Sequence, residues 1–151
     1  MKALAPFLGW LAFRLFRASA FKKSETKHKW VMKLFRYAAD NGSTRALSVY
    51  GHLLHFRGEG ENNRVQGAIY IERAAQQGDQ KAAYQMAKIF EQGYQNFPQN
   101  NEKALSYYQQ AAQSGHVLAL KRLVDIYADG ELGQPASAEQ ADYWRSLADK
   151  A

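Results

Sequence analysis

AAYQMAKIFEQGYQNFPQNNEKALSYYQQAAQSG, residues Ala82–Gly115, is the stretch on which the reading of this chain turns. In its first half Ala83, Met86, Ala87, Ile89 and Phe90 fall at spacings of three and four, one broad stripe of a helix. Gly93 is placed to stop that helix, because glycine tolerates the left-handed backbone of a helix end. The polar loop Tyr94–Asn101 follows, with Pro98 in it, where an extended or turning backbone is expected. Asn100 is a plausible N-cap for a second helix, Glu102–Gln113. That helix carries Tyr107 and Tyr108, ends in Ala111-Ala112, and stops at Gly115.

Working outward, the closing motif Ala-Ala-x-x-Gly recurs. It reads AADNG at Ala38–Gly42, AAQQG at Ala74–Gly78 and AAQSG at Ala111–Gly115, at intervals of 36 and 37 residues. Each motif glycine is followed four residues later by alanine: Ala46, Ala82 and Ala119. The copies flanking the central one repeat its stripe, as Leu47, Tyr50, Gly51, Leu53 and Leu54, and as Leu120, Leu123, Val124, Ile126 and Tyr127. Gly58 and Gly130 answer to Gly93; Glu59–Asn63 and Glu131–Ser137 read as loops, and Ser137 as an N-cap. The remaining second helices are predicted over Gln66–Gln76 and Ala138–Asp149. Their aromatics, Tyr70, Tyr143 and Trp144, are read as core opposite small residues. A repeat of this length marks a stacked helical array, in which each unit buries its stripe against the next.

Taken together, the pattern A-x-x-x-L-G-x-x-Y-x-x-G, a loop, then K-A-x-x-W-Y-x-x-A-A-x-x-G resembles the Sel-one-like repeat, a relative of the tetratricopeptide repeat. Ala82, Met86, Ala87, Phe90, Gly93, Lys103, Ala104, Tyr107, Tyr108, Ala111, Ala112 and Gly115 carry it. The first copy has Gly67 in place of the alanine and a longer approach to Gly58. The third has Gln140, Arg145 and Asp149 where the pattern asks for lysine, aromatic and alanine. The resemblance spans residues 37–151. It implies an all-α, short right-handed α-solenoid of about four antiparallel helix pairs, the N-terminal pair degenerate. It further implies an adaptor, often bacterial, without enzymatic activity.

The net charge of +6 is uneven. Residues 1–45 hold ten Lys/Arg and two acids; residues 46–151 hold ten Lys/Arg and twelve acids. The chain is accordingly divided into a basic N-terminal helical hairpin, 1–45, and a repeat array, 46–151. Residues 3–16 are mostly apolar, and three readings compete for them. A secretory signal would use Ala18-Ser19-Ala20 as its cleavage site, but Arg14 and Arg17 interrupt the apolar region just before it. In that case the purified protein would lack the mass of its first twenty residues. A membrane span is too short at eleven charge-free residues, Ala3–Phe13, against about 20 needed. An in-plane helix followed by Lys22, Lys23, Lys27 and Lys29 would suit anionic lipids through residues 1–36. In the third reading, which accounts for the whole segment, helices near 5–19 and 27–40 form an atypical opening repeat. The location expected on that reading is cytoplasmic, with an inner-membrane-associated or periplasmic protein as the alternative.

The polar stripe on the first helices is the candidate partner surface: Arg45, Ser48 and His52, then Lys81, Tyr84 and Lys88, then Lys121, Arg122 and Asp125. The expected partner is a protein. A membrane-peripheral or exported version of the same scaffold, engaged through the basic hairpin, is the alternative. His52 and His55 have the spacing of two metal ligands on one helix face, but no third ligand is evident, so no metal site is expected. Lys22, Lys23, Lys27, Lys29, Lys33 and Arg36 interleave with Phe21, Trp30 and Phe35, as in nucleic-acid binders. Trp30, Leu34 and Phe35 also fit a buried stripe, and nucleic acid is not the expected partner. Cysteine is absent, which excludes a disulfide scaffold and a thiolate site. No nucleophile elbow, phosphate-binding glycine loop or dinucleotide fingerprint occurs. No catalytic residue, cofactor or small-molecule substrate is therefore expected.

Overall fold

The computed structural model of the chain describes residues 2–17 and 25–151. The proposed cleavage site Ala18-Ser19-Ala20 and the cations Lys22 and Lys23 lie outside the described residues. Eight α-helices follow a short 3-10 turn at Lys2–Leu4: α1 Ala5–Arg17, α2 Glu25–Asp40, α3 Thr44–Arg57, α4 Glu61–Gln76, α5 Gln80–Gln92, α6 Asn101–Gln113, α7 Val117–Asp129 and α8 Ala138–Lys150. No strand occurs among the described residues. Consecutive helices pair as α1–α2, α3–α4, α5–α6 and α7–α8. The chain falls into two compact units, Met1–Gln77 and Gly78–Ala151.

The motif Ala-Ala-x-x-Gly closes each of the first three pairs. After α2, Gly42 donates to the Ala39 carbonyl and Ser43 to the Ala38 carbonyl, both at 3.1 Å. After α6, Gly115 donates to Ala112 at 2.9 Å and His116 to Ala111 at 3.1 Å. This is a helix end that needs a left-handed residue, and Gly42, Gly78 and Gly115 have φ of 92°, 96° and 89°. The residue after each glycine caps the next helix. Ser43 Oγ, Asp79 Oδ2 and His116 Nδ1 accept from Ala46, Ala82 and Ala119. The two alanines of each motif are buried, so one short motif ends a helix, adds to the core and leads into the cap of the next helix.

Asn100 and Ser137 cap α6 and α8 as expected. In both loops the cap residue also donates back to the first helix, Asn100 to the Phe90 carbonyl at 2.8 Å and Ser137 to Tyr127 at 2.7 Å. The first repeat differs. Helix α4 starts at Glu61, so Glu61–Asn63 is helix and not loop, and the predicted start at Gln66 is five residues late. Gly58 has φ −66°, not a left-handed backbone. Its reason is space, because a Cβ there would collide with the Leu54 carbonyl.

In unit 1 the core comprises Val31 and Phe35 of α2, Ala46, Leu47 and Gly51 of α3, and Ala68, Tyr70 and Ile71 of α4. In unit 2 it is built on Met86, Phe90, Tyr108, Leu120, Leu123, Ile126 and Trp144. Two aromatics read as buried are not. Trp30 is 54% exposed, because Val31 and Phe35 take the inward positions of α2. Tyr143 is 53% exposed, and its neighbour Trp144 is the one that turns inward.

Helix α1 is packed in an unusual sense. Its buried residues are small, Ala5, Gly9 and Ala12. A Cβ on Gly9 would stand 2.8 Å from Ser43 Oγ and 3.2 Å from Ala46 Cβ, so α1 lies hard against the capped start of α3. Phe16 reaches Phe35 edge-on, with centroids 6.1 Å apart. Phe7 and Trp10, by contrast, point outward.

Candidate functional site

In unit 2 the predicted stripe is partly assembled on α5. Lys81, Tyr84 and Lys88 follow each other at three and four residues, and so share a face. Lys81 is exposed, and Tyr84 and Lys88 are half-buried. The Lys88 ammonium lies 5.6 Å from the Tyr84 ring centroid. Tyr84 stacks on the His116 imidazole at 4.5 Å with an interplanar angle of 23°. His116 is itself held by its capping bond from Ala119, 3.3 Å long. The tyrosine is thus fixed by a helix cap before any partner arrives. Burial, with the nearby Lys81 charge, pushes the His116 pKa below its ordinary value. This agrees with the cap, which needs an unprotonated Nδ1 as acceptor.

Arg122 is not available to a partner in the way Lys81 is. Its guanidinium is clamped between Glu91, at the end of α5, and Glu131, 2.5 Å away beyond α7. Glu91 also accepts the Tyr108 hydroxyl. Burial alone would raise the Glu91 carboxyl, but the bonds from Arg122 and Tyr108 outweigh it and hold the pKa below its usual range. The same burial and bond raise the Tyr108 pKa. This triad ties α5, α6 and α7 together inside the unit. Lys121 and Asp125 remain exposed on α7.

In unit 1 the predicted residues scatter. Arg45 is exposed and lies over the Phe13 ring of α1 at 4.4 Å. Ser48 is only 6% exposed, which corrects its placement on a surface stripe: its short side chain sits at a buried position of α3. His52 donates from Nδ1 to the Ser48 carbonyl at 2.6 Å, and His55 from Nδ1 to the Arg64 carbonyl at 3.2 Å. Both rings flank Phe56, which is 58% exposed. No group of three metal-ligating side chains occurs among the described residues.

A polar cleft of about 290 Å³ lies among Arg36, Asp40, Tyr50 and Tyr70 in the same unit. The Tyr70 hydroxyl donates to Asp40 at 2.7 Å. Burial first, then this bond, pushes the Tyr70 pKa up to about 12. Such a phenol is a poor base at neutral pH, and the pair serves to tie α2 to α4.

Sequence reasoning missed Phe56 and Leu118. Leu118 holds the register position of Arg45 and Lys81 and is 53% exposed. Counting the period through, instead of searching for polar residues, would have found it.

No curated protein matches the chain. The Sel1 repeat model matches residues 44–79 and 80–116. The fold is similar to that of a Sel1 repeat protein from Oxalobacter formigenes, with a TM-score of 0.78 and 26% identity over 95% of this chain and 57% of that one. It is also similar to a protective antigen present in uropathogenic Escherichia coli strains displaying an SLR fold. That likeness has a TM-score of 0.73 and 20% identity over 99% of this chain and 31% of that one. The chain thus spans somewhat over half the length of the first of these structures and about a third of the second. With helix pairs closed by recurring alanine–glycine motifs, two matched repeats and a solved fold of the same kind, the chain carries Sel1 repeats at residues 44–79 and 80–116.

Proposed function

We propose that this protein is a non-catalytic interaction scaffold, an adaptor or regulatory module, that holds a protein partner on the exposed faces of its first helices. Sel1 repeat proteins generally act as protein-interaction scaffolds, and the fold is typically non-enzymatic. The observation that carries the reading here is the α5 face. A tyrosine is pre-positioned by the His116 cap between two lysines, and no carboxylate is ion-paired to Lys81 or Lys88 among the described residues. A fixed aromatic with flanking cations suits a partner segment carrying acidic and apolar side chains, and fixing it beforehand lowers the entropic cost of binding. Arg45, Lys121 and Asp125 extend the exposed first-helix surface within their own units. Arg122 serves it only by bracing α7. No helix among the described residues is long and apolar enough to cross a membrane. The proposed location is the cytoplasm.

The test is affinity capture with the full chain against its K81E/K88E variant. Recovery of the partner is expected to fall about tenfold, with the helical circular dichroism and melting curve unchanged. Equal recovery by the two proteins would remove the α5 face from the binding surface.

A further inference from the structure

Helix α1 turns two of its large aromatic side chains, Phe7 and Trp10, outward. Its buried residues are Ala5, Gly9 and Ala12, with Gly9 against α3, whereas Leu4 of the preceding turn, Phe7 and Trp10 are 53%, 54% and 43% exposed. A helix serving only as a lid on the core would be expected to place the bulky residues inward. Phe7 and Trp10 stack on each other at 5.9 Å, one turn apart. Following them on the same face at heptad spacing stand Arg14 and Arg17.

A second observation concerns charge. An open cleft of about 320 Å³ is lined by Trp10, Phe13, Arg14, Arg17 and Arg45. Arg17 and Arg45 both lie over the Phe13 ring, at 5.8 and 4.4 Å, and Arg14 lies over Trp10 at 5.4 Å. Three guanidinium groups therefore share one small region on two aromatic rings. None is ion-paired to a carboxylate among the described residues. Helix α1 contains no acid at all. Among the described residues no carboxylate offsets the charge of this cluster.

We propose that the outer face of α1, with Arg45 of α3, docks on an anionic phospholipid surface. Leu4, Phe7 and Trp10 would enter the interfacial region, and Arg14, Arg17 and Arg45 would meet lipid phosphates. Amphipathic helices with aromatics on one face and cations beside them lie in the plane of a bilayer in this way. At 13 residues α1 is about 20 Å long, suited to lying on a bilayer and too short to cross one. The cleft is open and shallow, which suits many headgroups side by side better than one enclosed peptide side chain. The like charges favour a surface of opposite sign over a second copy of this chain, which would bring three more arginines to the contact.

The test is flotation of the full chain with phosphatidylcholine vesicles, alone and with about a quarter phosphatidylglycerol. The protein is expected to float with the anionic vesicles only, and to be released by salt. R14Q/R17Q/R45Q is expected to weaken partitioning about a hundredfold. F7S is expected to weaken it while leaving the salt dependence in place. R57Q/R73Q/K150Q, which removes the same charge elsewhere, is expected to bind as the parent does. These substitutions are at partly or fully exposed side chains, and circular dichroism checks that each variant is folded. Absence of the parent from the anionic vesicle fraction would overturn the proposal, and so would equal loss in the two glutamine triples. A concentration-dependent dimer abolished by F7S, with no vesicle binding, would assign the face to a second copy instead.

Discussion

Gly67 faces Gly51 where α4 crosses α3, close enough that a Cβ built on Gly67 would stand 2.7 Å from the Gly51 carbonyl oxygen and collide with the His55 backbone. The reverse holds too: a Cβ on Gly51 would meet Ile71 N at 2.9 Å and Gly67 O at 3.0 Å. The departure from the repeat pattern at Gly67 is thus one half of a matched pair. Two backbones touch where other copies of the repeat place a methyl group.

Restoring the pattern should therefore harm the protein. G67A gains helix propensity worth about 1 kcal/mol, but it pushes backbone against backbone. A net loss of about 1–3 kcal/mol is expected. Urea unfolding measures it, and a midpoint at or above the parent's would show that the helices separate easily.

The Glu91 triad predicts a second loss. E91A leaves the Tyr108 hydroxyl without its acceptor and Arg122 with Glu131 alone. Removing one partner of a half-buried charged network is expected to cost about 1–3 kcal/mol. Because the Glu91 pKa is lowered in the fold, its contribution is present above the unfolded carboxyl value. It is lost as the pH falls through the folded one. E91Q should accordingly show a shallower fall in melting temperature between neutral and acid pH than the parent.

His116 gives a separate pH signature. Its folded pKa lies below its unfolded value, so the unfolded chain takes up the proton first as the pH falls. Stability should be full above the ordinary histidine range and decline as the pH drops through it toward the folded value. H116N keeps a side-chain acceptor at the cap and removes the titration. It is expected to match the parent at neutral pH and exceed it in mild acid. Superimposable melting profiles for the two proteins would dissociate the cap from the imidazole.

At the α1–α3 contact, G9V is expected to cost about 1–3 kcal/mol, because its branched side chain must displace Ser43 from the cap of α3. S43A, which removes the cap oxygen and keeps the space, is expected to cost about 1 kcal/mol. A G9V protein as stable as its parent in chemical unfolding would mean that α1 and α3 part without penalty.

Much of this architecture could be read in the chain because its signals are local and repeated. The helix-ending glycines at 78 and 115 and the caps at Asn100 and Ser137 are each set by one residue's conformational preference. What could not be read depends on which helix faces which. Trp30 and Phe35 both fit an apolar stripe on α2, and only packing against α1 and α3 decides that Phe35 is inside. Ser48 reads as surface because it is polar, yet a small hydroxyl is tolerated in a tight seam. The early start of α4 was hidden by Asn62-Asn63, residues of low helix propensity, although Asn63 donates to the Glu59 carbonyl at 2.8 Å. Arg122 looked like its exposed neighbour Lys121 until two distant carboxylates were placed beside it.

The small-residue seam of α1 has a consequence for how that helix is retained. Where Gly9 meets α3 little hydrocarbon is hidden, so that contact relies on the closeness of two backbones more than on area withdrawn from water. Close fit of that sort is lost completely once the surfaces separate by the width of a methyl group. Amide protons of α1 should therefore exchange together, in a single opening event that leaves α5–α8 protected.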